Sequence, residues 1–96
     1  MVNKYIYLDN ASTTPLSKNV LNKINSTYEN YWSNSSSTYK YGIKCATYLE
    51  KIRIKIANIL NAKTEDIIFT SGSSESTSLV FSNIGCLLYT SDAADE

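Results

Sequence analysis

The sequence predicts an α/β fold, and three observations carry that expectation. Two short β-favouring runs, Tyr5-Ile6-Tyr7-Leu8 and Ile67-Ile68-Phe69, stand on either side of two stretches with helical periodicity. After the second run the chain breaks at Gly72 among small and hydroxylated residues, and an apolar pattern resumes at Leu79, Val80 and Phe81, as a strand, a tight turn and a new helix would. The resulting order is strand, helix, helix, strand, turn, helix, with consecutive helices between strands. Two strands cannot make a sheet that buries both helices, so the fold is expected to be incomplete as the chain stands.

Taken in order, the first run is stopped by Asp9-Asn10, two turn-favouring residues. A small-residue loop follows, from Ala11 to Pro15, in which Thr14 or Ser17 is placed to cap a helix. From about Lys18 to Trp32 the apolar positions Val20, Ile24, Tyr28 and Tyr31 or Trp32 keep helical spacing. Ser33 to Ser37 is a polar break. The second helix has the clearest stripe: Cys45, Leu49, Ile52, Ile56 and Ile59, with Lys44, Lys51, Lys55 and Asn58 off it. Asn61 to Asp66 reads as a short turn into the second strand.

Size and composition narrow the function. Ninety-six residues allow one small domain, and 43% hydrophobic residues with eight tyrosines mark it as globular. Nine basic and nine acidic side chains cancel, so nothing steers the chain towards nucleic acid or an anionic membrane. The opening Met-Val-Asn-Lys-Tyr lacks the apolar segment of a secretory signal, no run is long enough to span a bilayer, and the two cysteines make no disulfide framework. A cytoplasmic protein is expected. With no histidine and no CxxC pair, neither a histidine-based triad nor a zinc centre is expected within these residues.

The last eleven residues, from Cys86 to Glu96, break the local composition: they contain no Lys, Asn or Ile, in which the rest is rich. They resemble a translated sequencing adapter at the end of an assembled read. Residues 1–85 are therefore expected to be the native piece and 86–96 a non-native tail. The other reading is an ordinary acidic C-terminus.

The stretch from Ile67 to Ser76 holds the chemistry. The first amides of a helix have no intrahelical partners and lie at the positive end of its dipole, so a phosphate placed there gains several donors. Gly72 would let a ligand approach the backbone, and the hydroxyls of Ser71, Ser73, Ser74 and Ser76 would add to the cradle. There is no Walker A pattern and no GxGxxG, which favours a cofactor's phosphate handle over a nucleotide. The same ten residues also fit a strand, a serine-rich loop and an N-cap with no ligand.

Four stretches together resemble the start of the cysteine desulfurases, within the class V aminotransferases, which are fold-type I pyridoxal-phosphate enzymes. Tyr7-Leu8-Asp9-Asn10-Ala11-Ser12-Thr13-Thr14-Pro15 resembles the family's YLDNAATTP, and Asn34 to Gly42 is similar to its NPSSxHxxG. Glu65 to Ser76 is similar to EEIIFTSGATES, and the lysine-rich helix between has the right length. The resemblance covers roughly residues 5 to 84. It departs at Ser35, where the family has Pro, at Tyr39, where it has His, and at Ser74, which keeps the hydroxyl of the family's Thr.

The resemblance implies that Ser73 and Ser74 hold the phosphate of pyridoxal 5′-phosphate, Ser73 through its amide and Ser74 through amide and hydroxyl. It implies, more weakly, that Asn10, Ala11 and Ser12 line the substrate side of the pocket; an Asx-turn and a helix cap serve equally for Asp9, Asn10 and Thr14. The implied reaction takes sulfur from L-cysteine as a persulfide on an active-site cysteine and leaves L-alanine. The sulfur goes on to acceptor proteins, for iron–sulfur cluster assembly or tRNA thiolation. The implied protein is a homodimer with a mixed sheet flanked by helices. The cofactor lysine, the ring-stacking histidine, the acid facing the pyridine nitrogen and the reactive cysteine have no match here. Lys40, Lys44, Lys51, Lys55 and Lys63 read as solvated, and Cys45 as core. Alternatives within the class are a selenocysteine lyase or another class V aminotransferase. Outside it stands a non-catalytic phosphate-binding α/β module.

Overall fold

A computed structural model describes residues 5–94, and the side chains of residues 5–86. The elements are α1 (Lys18–Asn30), α2 (Lys40–Leu60), a 3-10 turn at Thr64–Asp66, and α3 (Ser73–Ala94). Among the described residues there is no strand, which corrects the α/β expectation. The physical reason is pairing. Tyr5, Ile6 and Leu8 are 87%, 84% and 87% exposed, with no ladder beside them. Ile67 does adopt extended dihedrals (φ −92°, ψ 116°), but its carbonyl accepts from the Arg53 guanidinium rather than from a neighbouring strand. Propensity fits a residue to a pleated surface; a strand exists only when a second one satisfies its backbone.

The chain divides into two compact units, residues 1–52 and 53–96, with the division inside α2. In the first unit Ser17 is the α1 N-cap, its Oγ accepting from the Val20 amide at 3.3 Å. α1 stops at Asn30, and the Tyr31 amide, already outside helical dihedrals, still donates to the Thr27 carbonyl. Asn34 then shapes the serine-rich break, accepting from the Ser36 amide at its side chain (2.9 Å) and from the Ser37 amide at its carbonyl (3.1 Å). That turn returns the backbone onto α2 at Gly42. A Cβ on Gly42 would overlap the Ser37 carbonyl group, so only glycine fits.

Packing in this unit is largely aromatic. Tyr31 and Tyr48 stack with centroids 3.9 Å apart and planes 9° from parallel, and the Lys44 ammonium lies 4.9 Å from the Tyr31 ring. Trp32 and Tyr41 make a looser pair at 6.0 Å. Cys45 is buried, as its stripe predicts, and borders a cleft of about 260 Å³ with Thr27, Tyr31, Ser33 and Tyr48.

In the second unit Ala57 is the buried position of α2, whereas Ile59, placed on the stripe by its spacing, is 82% exposed. α2 ends in a Schellman motif: the Ala62 amide donates to the Ala57 carbonyl (2.9 Å) while Asn61 takes a left-handed φ of 52°. Asparagine tolerates that region better than most residues with a Cβ. The 3-10 turn follows, with the Lys63 amide donating to the Asp66 carboxylate at 3.3 Å. Arg53 then holds the extended run, donating to the Ile67 carbonyl and covering the Phe69 ring at 4.8 Å. That run delivers the chain to the start of α3. No helix among the described residues is long and apolar enough to cross a membrane. The expected boundary at 85/86 falls inside α3, and the side chains of its proposed tail beyond Cys86 lie outside the described residues.

Candidate functional site

Residues 70–76 form the turn that opens α3. The Ser76 amide is the first to bond back, to the Gly72 carbonyl at 3.1 Å, so the amides of Ser73, Ser74 and Glu75 lie ahead of the first intrahelical bond. These are the groups that an anion would meet at the positive end of the helix. The Ser73 and Ser74 side chains are exposed, and among the described residues neither hydroxyl has a protein partner.

The other two hydroxyls of the expected cradle are engaged. Ser76 Oγ lies 2.7 Å from Thr70 Oγ1, and both hydroxyls are within 3.1 Å of the Gly72 carbonyl oxygen, to which they can donate. Ser71 donates its amide (2.8 Å) and its hydroxyl (2.5 Å) to one oxygen of the Glu75 carboxylate. Those bonds stabilise the charged form and hold the Glu75 pKa below the usual glutamate value, the hydroxyl contributing most and the amide next. Thr70 and Glu75 are therefore partners within the turn that sequence reasoning passed over. The available signal was an acid in the first turn of a helix, four residues after a serine.

Gly72 leaves its side of the turn open. It has no positive φ, and a Cβ built on it would meet nothing within 4 Å. The turn is open on that side, which leaves room for a ligand but does not demand glycine for its own geometry.

Asn10, Ala11 and Ser12 belong to the first unit, and Ser73 and Ser74 to the second. The former make a tight turn in which the Ser12 amide donates to the Asp9 carbonyl at 3.0 Å, and Asn10 Nδ2 reaches the Tyr7 carbonyl at 3.5 Å. All three are exposed. Tyr39, at the place where the resembling motif has histidine, is also exposed; the hydroxyls of Ser37 first and Ser33 second lower its pKa. Among the described residues no group of three or more Cys, Asp or Glu side chains is gathered to hold a metal ion.

A family model, aminotransferase class V, matches residues 6–95, nearly the whole chain. The chain belongs to the class V aminotransferase family. Among the relatives of this class V chain, a selenocysteine lyase from Xenopus laevis is 38% identical over 79 residues, covering 82% of this chain and 18% of that protein. A cysteine desulfurase IscS from Dictyoglomus turgidum is 38% identical over 85 residues, covering 88% of this chain and 22% of that protein. A mitochondrial cysteine desulfurase from Candida albicans is 39% identical over 80 residues, covering 82% and 16%. The chain thus spans about a fifth of the length of the relatives it matches. No solved structure matches it.

Proposed function

We propose that these residues supply the phosphate-holding turn of a pyridoxal-phosphate-dependent cysteine desulfurase. The observation that carries this reading is the start of α3, where the Ser73 and Ser74 amides precede the first intrahelical bond and both hydroxyls are without a partner among the described residues, in a chain of the class V family. Ser73 holds a phosphate oxygen through its amide, and Ser74 through amide and hydroxyl. The open side of Gly72 admits the phosphate. These residues fit the phosphate end of the cofactor; no lysine stands in the turn to fix its other end. When bound, the cofactor supplies an electron sink for the substrate's α-carbon. Asn10, Ala11 and Ser12 serve the substrate side.

In this reading the full-length protein works as a cytoplasmic homodimer. It transfers sulfur from L-cysteine to an enzyme thiol, leaving L-alanine and a persulfide. Acceptor proteins then carry the sulfur to iron–sulfur cluster assembly or tRNA thiolation. A second reading, selenocysteine lyase, draws support from relatives of that name at the same level of identity. The deciding experiment supplies the full-length protein and pyridoxal phosphate with L-cysteine or L-selenocysteine and measures alanine. Alanine from L-cysteine, with an equal amount of protein-bound sulfur, supports the desulfurase. Alanine from L-selenocysteine alone selects the second reading, and alanine from neither overturns both.

A further inference from the structure

The Ser71–Glu75 contact points beyond the two serines. Glu75 lies in the first turn of α3, and one of its carboxylate oxygens accepts both the amide and the hydroxyl of Ser71, on the other side of Gly72. A second tie, between the Thr70 and Ser76 hydroxyls, spans the same glycine. The Gly72 carbonyl is held as well, by the Ser76 amide and within reach of both hydroxyls, and the Ser71–Glu75 contact is the tie that joins the residue before Gly72 to the first turn of α3. A negative charge so close to an anion site opposes the anion by Coulomb repulsion, yet it also fixes the donors that receive it. The two effects have opposite signs, and the geometry says which prevails. The carboxylate is turned to Ser71 and engaged twice there, while the Ser73 and Ser74 hydroxyls have no partner among the described residues.

We propose that Glu75 is the positioning residue of the phosphate turn: by tying Ser71 to the first turn of α3 it fixes the backbone around Gly72, so that the Ser73 and Ser74 donors are preset for a phosphate. This rests on the reading of the turn as the cofactor's phosphate site. Glu75 itself touches no phosphate. It acts through Ser71, and the acceptor oxygen matters rather than the charge.

The test compares binding of pyridoxal phosphate with binding of pyridoxal, which lacks the phosphate, in the full-length protein. The ratio of the two affinities isolates the turn, because a general loss of structure lowers both alike. Glu75→Ala is expected to lower the ratio roughly tenfold, the size of losing a helix-end cap. Glu75→Gln, which keeps an acceptor oxygen and removes the charge, is expected to stay within about twofold of wild type. Ser71→Ala, which removes only the hydroxyl donor, is expected to fall between them and serves if Glu75→Ala does not fold. A wild-type ratio well above one that all three variants leave unchanged overturns the role of Glu75 and spares the phosphate turn. A ratio that rises in Glu75→Gln also overturns it, since repulsion then outweighs positioning. A wild-type protein that binds both compounds equally removes the phosphate turn and Glu75's role together.

Discussion

The carboxylate of Glu75 makes its environment measurable, since two donors from Ser71 favour its charged form. Its pKa is lowered in the folded chain, so its contribution is fully present above the ordinary glutamate value of about 4.3 and is lost as pH falls through the lowered one. An NMR titration of the Ser71 amide is expected to show its acid transition below that ordinary value; a midpoint at or above it would contradict the contact. The positions of Ser73 and Ser74 at a helix start were legible from one glycine between an apolar run and a serine cluster. The division of labour among the hydroxyls was not. Which serine hydroxyl is consumed by a neighbour depends on side-chain partners that spacing does not reveal.

Among the elements, helices declared themselves and strands did not hold. α1 and α2 were legible because a 3.6-residue period is a property of one segment, and Ser17 could be named as a cap candidate from its type and place. In the full-length protein, replacing Ser17 with alanine is expected to cost about 1 kcal/mol in urea unfolding. The loop onto α2 makes a sharper demand at Gly42. Alanine is better than glycine inside a helix by about 1 kcal/mol, but here its methyl would strike the Ser37 backbone, and overpacking costs about 1–3 kcal/mol. Gly42→Ala is therefore expected to destabilise the first unit, and a neutral or stabilising result would show that the loop yields freely. Tyr5 to Leu8 and Ile67 to Phe69 failed as strands because extended backbone needs a second chain segment, which a local pattern cannot supply. The end of α2 was legible as a turn beginning at Asn61, whereas the left-handed dihedral that Asn61 takes was not, since glycine would have advertised it.

At the scale of the whole molecule, Cys45 and Ala57 are the buried hydrophobic residues among those described, while Trp32, Tyr28, Phe81 and Ile59 stand 69%, 77%, 68% and 82% exposed. So thin a core among the described residues leaves them with little to offset their conformational entropy. The 96-residue chain is expected to bind an apolar dye such as ANS and to melt over a broad range; a sharp transition without dye binding would contradict this. By itself it is also expected to form no borohydride-fixable cofactor band, since none of its lysines matches the one that holds the cofactor in the resembling family. The family could be recognised from motifs at Tyr7 to Pro15 and Glu65 to Ser76, because a run of residue types in fixed order is read directly from the sequence, whereas strand pairing is not. The most direct test of the phosphate turn is pyridoxal-phosphate affinity in the full-length protein carrying Ser74→Glu, which places a bulky acid where the anion should sit. Affinity lower by tenfold or more, on the scale of losing favourable charge at a helix start, is the expected result; wild-type affinity would contradict it.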